Sequence, residues 1–114
     1  MTTIYKICRV ASWRAAEHAG SYRGSEVDAR DGFIHFSTAA QVAETAARHF
    51  AQQTDLVLVA VDGDALGTAL KWEKSRRGDL FPHLYDALPL AAVRWSRVLP
   101  DEVDGRRALP ELIP

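Results

Sequence analysis

The chain has 114 residues, 47% hydrophobic and 25% charged, with fourteen basic against fifteen acidic side chains for a net charge of −1. That length and balance describe one globular domain, residues 1–114, able to bury its own core; they exclude a disordered chain and make bulk nucleic-acid binding unexpected. A single cysteine, Cys8, excludes an internal disulfide and a thiolate-rich zinc site.

The amino terminus runs straight into Ile4-Tyr5-Lys6-Ile7-Cys8, which alternates as a strand, with no basic stretch ahead of a long apolar one. No targeting segment is expected, and a reducing cytoplasm suits the lone cysteine. Ser12 is placed to cap a short helix through Ala19, closed by Gly20, with Trp13 and Ala16 on its buried stripe. Residues 21–32, rich in glycine, serine and charge, read as a surface loop over a site. Gly32 to Thr38 reads as a strand in which Phe33, His35 and Ser37 share one side and Ile34 and Phe36 the other. Thr38-Ala39-Ala40-Gln41 fits a capping box, so a helix is expected from Ala39 to about Gln52, with Val42, Ala46 and Phe50 on one face.

Leu56 to Val61 is an unbroken apolar run, expected as a central strand covered on both sides and far short of the ~20 residues a membrane helix needs. Asp62-Gly63-Asp64 ends it in a turn, and Ala65-Leu66-Gly67 suggests a brief helical turn. Leu70 to Glu73 reads as a strand, residues 74–79 as a charged loop, and Phe81-Pro82-His83-Leu84-Tyr85 as a rigid loop facing the first histidine. Ala92 to Leu99 alternates, placing Val93, Trp95, Arg97 and Leu99 on one face. The core therefore spans about residues 4–99, and the tail 100–114 carries no structure of its own.

Chemistry concentrates on a few of these positions. His35 can donate to phosphate or act as general acid or base, and Ser37 beside it can hydrogen-bond a substrate near the free N–H groups of a helix start. His83 and Tyr85 supply an opposite wall, Tyr22 a ring to stack on a base, and Arg23 a clamp for phosphate. Glu73, before a basic loop, can stabilise positive charge on a sugar ring. Each has an ordinary alternative: a satisfied histidine, a packed corner, a solvated strand-end carboxylate. No G-x-S-x-G elbow supports a serine triad, no third ligand completes a metal site with His35 and His83, and neither a dinucleotide fingerprint nor a P-loop is present.

Ile4-Tyr5-Lys6-Ile7, Gly20-Ser21-Tyr22, Asp31 to Thr38 with Gln41, Leu56-Val57-Leu58, Glu73 and Phe81 to Tyr85 together resemble the bacterial domain of unknown function numbered 952. The resemblance covers about residues 4–99; Asp86 departs from it, standing where glycine is expected. That family looks related in fold to the ADP-ribosyltransferase superfamily, including RNA 2′-phosphotransferases, which use NAD and carry a comparable H-x-S strand before a helix. The resemblance matches His35 and Ser37 to the nucleotide-contacting pair; the arginines of the phosphotransferases have no clear counterpart. It implies an α+β domain, a small mixed or antiparallel sheet flanked by helices and similar to a split half-barrel. The leading expectation, ADP-ribosyl transfer with NAD as substrate, joins that resemblance to the residue reading above: no metal, His35 and Glu73 as catalytic residues, and Ser37, His83, Tyr85, Tyr22 and Arg23 on the ligand. The rival is a non-catalytic module for a nucleotide or small anionic metabolite; a third reading is a protein-interaction surface.

Overall fold

Neither face of the Leu56–Val61 run tolerates water, and the architecture covers both. The computed structural model describes residues 2–113, apart from the Arg76 side chain. In chain order the elements are β1 (Thr3–Arg9), α1 (Val10–Ala19), β2 (Ser21–Tyr22), α2 (Glu26–Asp31), β3 (Ile34–His35), α3 (Val42–His49), β4 (Leu56–Asp62), β5 (Leu70–Lys74), β6 (Leu80–Leu84), β7 (Leu88–Pro89) and β8 (Val93–Val98). Short 3-10 segments link β4 to β5 and β7 to β8.

β4 lies between β1 and β8 in an antiparallel sheet. On one face Ile4, Cys8, Val57, Val59 and Val61 pack with Trp13 and Ala16 of α1 and with Ile34, Phe36 and Leu84 of the neighbouring layer. On the other, Tyr5, Ile7, Leu56, Leu58 and Ala60 pack with Val42 and Ala46 of α3 and with Leu99. The expected central strand is thus present, and its period of two sorts its residues cleanly between two cores.

A second antiparallel sheet has the order β3-β6-β5, and β2 pairs with β7 apart from both. Among the described residues one bridge connects the two larger sheets: Tyr5 N–H donates to the Ser37 carbonyl at 2.8 Å and Ser37 N–H to the Tyr5 carbonyl at 2.9 Å. The result is an α+β fold whose two larger sheets meet at this rung. No helix among the described residues is long and apolar enough to cross a membrane.

Several local expectations change. α1 begins at Val10, with extended Arg9 as its N-cap and no side-chain cap, whereas Gly20 closes it at φ 88 as expected. Residues 21–32 hold β2 and α2 rather than a plain loop. α3 is shorter than residues 39–52 and is preceded by a turn; Thr38 N–H donates to Gln41 Oε1 at 3.0 Å, so only the glutamine half of the capping box forms. Beyond it Gln52 has φ 64, which no α-helix can absorb. The Phe81–Tyr85 segment is mostly strand: Pro82 gives no N–H, yet its carbonyl accepts from Phe36 N–H at 3.0 Å. In β8 the pairing shifts between Ala60 and Val61, so Val93 joins one core and Trp95 the other instead of sharing a face.

The tail is tied down at several points: Leu109 and Leu112 pack on the second core, the Tyr5 hydroxyl donates to the Ile113 carbonyl and accepts from its N–H, and a buried cation holds the turn between them and β8. Arg107 Nη2 donates to the carbonyls of Phe50 and Gln53, both at 3.0 Å, and Nη1 to that of Pro100 at 2.9 Å, satisfying the acceptors left where α3 ends. Arg107→Ala is expected to lower stability by about 2–4 kcal/mol, because hydrogen bonds from a charged donor are lost and carbonyls are stranded. Urea unfolding checks this, and a loss below about 1 kcal/mol would show that the Arg107 bonds contribute little to holding the tail.

Candidate functional site

α2 starts at a capping box: Ser25 Oγ accepts from Asp28 N–H at 3.2 Å while Asp28 Oδ2 accepts from Ser25 N–H at 2.8 Å. Such carboxylates ordinarily sit in water, but the Asp28 side chain is only 2% exposed. Burial without partners would be prohibitive, and Asp28 has four. Its Oδ2 also accepts from Lys6 Nζ at 2.8 Å; its Oδ1 takes His35 N–H at 3.1 Å and lies 2.6 Å from His35 Nδ1. Burial alone pushes this carboxyl up, but the His35 hydrogen bond, the Lys6 ammonium and the Ser25 N–H outweigh it and hold the group well below the usual carboxylate range. Gly24 makes room for this arrangement, since a Cβ there would come within 2.7 Å of Asp28 Cβ, and its φ of +100° disfavours any side chain.

The other ring nitrogen of His35, Nε2, lies 3.0 Å from Asp31 Oδ2. Carboxylates only accept, so both contacts are hydrogen bonds when each ring nitrogen carries a proton. Directly across the β3–β6 ladder stands His83, which places the two imidazoles on one face with centroids 5.4 Å apart. His83 Nδ1 is 2.8 Å from Glu73 Oε1, the same oxygen that accepts from Tyr85 hydroxyl at 2.7 Å. The Tyr85 and His83 hydrogen bonds keep Glu73 below its ordinary range, and the bond to Glu73 pushes Tyr85 up. Phe33 covers the group, its centroid 4.1 Å from that of His83, 4.5 Å from that of His35 and 5.2 Å from that of Tyr85.

A cleft of about 730 Å³ opens beside this rung, lined by both imidazoles together with Lys6, Asp28, Asp31 and Ser37. That volume suits a small organic ligand. The sequence therefore pointed to histidines that do converge, and Phe33 and Tyr85 do lie on their face. Other expected positions are placed differently. Ser37 lines the cleft but is 5% exposed, with its hydroxyl 2.9 Å from that of Thr45. Tyr22 is 3% exposed, its ring 5.8 Å from Trp13, and burial followed by the nearby Cys8 raises its hydroxyl pKa. Burial likewise pushes the Cys8 thiol up to about 11, so it is no ready nucleophile. Arg23 and Tyr85 line a smaller depression of about 240 Å³, and Glu73 stands behind His83 rather than on the wall of the main cleft. Among the described residues no group of three or more His, Cys, Asp or Glu side chains is positioned to hold a metal ion.

Sequence reasoning missed Lys6, Asp28 and Asp31. The available signal was Ser25-x-x-Asp28, a helix start shortly before the histidine strand; nothing in the sequence marks its carboxylate as buried.

Removing the Asp28 charge strands the Lys6 ammonium, so Asp28→Asn is expected to cost about 3–5 kcal/mol at pH 7. Because the folded pKa of Asp28 lies below its unfolded value, this stability is whole above about pH 4 and fades as the pH falls through the folded value. Urea titrations should therefore show the gap between wild type and Asp28→Asn closing in acid; a gap of constant size would contradict the assignment. Gly24→Ala should act through the same carboxylate, lowering stability by about 1–3 kcal/mol from strain and displacement, and shifting the His35 amide resonance. An unmoved resonance would uncouple Gly24 from the site.

Comparison with known proteins agrees with the architecture. The crystal structure of protein CC0527 from Caulobacter crescentus is similar with 48% identity over 94% of each chain and a TM-score of 0.90. Its solution NMR structure is similar with 50% identity over 92% of this chain and 90% of that one, at a TM-score of 0.81. No curated protein matches. Residues 7–96 match the model of the family described as "Protein of unknown function (DUF952)", and the chain belongs to that family.

Proposed function

We propose that the cleft binds a nucleotide through its paired imidazoles and that the chain carries out ADP-ribosyl transfer from NAD. The observation that carries this reading is the rung itself: two histidines on opposed strands, each held at Nδ1 by a carboxylate, on the wall of a cleft of ligand size. Orientation fixed in advance is what a site needs to stabilise developing charge. Two half-sheets meeting at one bridge are in keeping with the resemblance to a split half-barrel. In this reading His35 and Ser37 hold ribose or phosphate, Tyr85 offers an exposed ring to nicotinamide or adenine, and Arg23 reaches phosphate from the adjoining depression. Glu73 supports positive charge on the ribose through His83. The bond from ribose C1′ to nicotinamide breaks, nicotinamide leaves with the electron pair, and the acceptor joins C1′ as it gives up its proton. A buried thiol and the composition fit a cytoplasmic setting.

A second reading, a nucleotide-binding module without turnover, is favoured by one feature: the Glu73 carboxylate already accepts from Tyr85 and lies against His83 instead of facing the main cleft. Thermal-shift titration with NAD, ADP-ribose and AMP tests the shared claim. At a hundredfold excess over Kd a ligand adds about 2.7 kcal/mol, so the melting temperature should rise for wild type and not for His35→Ala. Chromatographic assay of nicotinamide release then separates the readings, since Glu73→Gln should abolish release while leaving the ADP-ribose shift intact. No shift with any nucleotide would sink both.

A further inference from the structure

His35 is gripped at both ends, but the two grips differ in kind. At Nδ1 the carboxylate is Asp28, which four donors fix in place and which cannot leave without stranding Lys6. At Nε2 it is Asp31, 3.0 Å away, whose side chain is 33% exposed and whose imidazole partner is 35% exposed. Asp31 is the last residue of α2, next to Gly32 at φ 85, and Arg30 Nε lies 3.1 Å from its other oxygen. Released from His35, it keeps a cation and reaches water. The matching Nε2 of His83, on the same rung, carries no hydrogen bond among the described residues.

We propose that the Asp31 carboxylate is a built-in occupant of an anion subsite at His35 Nε2, and that the phosphate of a nucleotide ligand binds there by displacing it. This rests on the reading that the cleft takes a nucleotide. A phosphate presents the same acceptor oxygens as the carboxylate it replaces, and can extend a second oxygen toward His83. Asp31 then does two things in the empty protein: it holds the exposed end of the His35 ring in place, and it makes every incoming anion compete. A neutral ligand gains nothing from its departure.

The test is calorimetric titration of ADP-ribose, with adenosine as the uncharged probe, into wild type, Asp31→Asn and Glu26→Gln at one ionic strength. Glu26 lies on the same helix and lines the same cleft, so its substitution removes an equal charge without touching His35. Since exposed ion pairs are weak, Asp31→Asn should tighten ADP-ribose by about 2- to 5-fold, Glu26→Gln by clearly less, and adenosine should not change. In wild type, ADP-ribose should also move the His35 Nε2 resonance. If ADP-ribose binds wild type but Asp31→Asn does no better than Glu26→Gln, the displacement is refuted while nucleotide binding stands. If ADP-ribose binds none of the three, both fall together.

Discussion

One buried carboxylate organises the half of this molecule that borders the cleft. Asp28 gathers donors from β1, from the turn before α2 and from β3, and its two oxygens are shared among Lys6, Ser25 and His35. A charge so deeply buried is tolerable only when every lone pair has a partner, so the three segments have one satisfactory arrangement and many costly ones. A buried ion pair of this kind adds little to net stability compared with apolar packing; what it supplies is definition. Here the definition is passed to an imidazole, since the same oxygen that takes the His35 backbone N–H also meets Nδ1 of its ring.

The two half-sheets explain why there is a cleft to define. β1, β4 and β8 are locked together by cores on both faces, and β3, β6 and β5 lean on that block through Ile34, Phe36 and Leu84. Among the described residues only the Tyr5–Ser37 rung pairs the two larger sheets by backbone, and the cleft lies beside it. The polar face of β3 and β6, carrying His35 and His83, borders the gap, with His83 itself buried beneath Phe33. Packing thus settles where the opening lies, and the carboxylates settle what lines it.

Much of this was readable from residue order, and the exceptions share a cause. The Leu56–Val61 run, the Gly20 stop and the alternation that separates His35 from Ile34 and Phe36 are all local signals, each decided within a few residues. α2 was hidden because Ser25-x-x-Asp28 uses the polar residues of loops, and the burial that distinguishes it depends on Lys6, 22 positions earlier. Lys6 in turn sits in an alternating strand, where a lysine ordinarily faces water. β6 was obscured by Pro82, which argues against a middle strand unless its carbonyl side carries the pairing, as the bond from Phe36 shows. The split of Val93 and Trp95 between two cores follows from a shift in pairing with β4, a relation no single strand can announce.

The resulting rung is symmetric in its parts and asymmetric in its surroundings. Each histidine rests its Nδ1 against a carboxylate, but Asp28 is sealed in the interior while Glu73 is half-exposed and tied to Tyr85 at the surface. The far nitrogens invert the pattern, with that of His35 met by Asp31 and that of His83 unengaged among the described residues. A site built for packing alone would have no use for such a difference, because a neutral imidazole is satisfied by one donor and one acceptor contact. Three carboxylates around two imidazoles, beneath a phenyl ring and beside a cleft, concentrate charge where the protein could have placed leucine. Polar groups are thus gathered at one edge of an otherwise apolar junction, and the physical cause of that gathering is the chain of hydrogen bonds that starts at Asp28.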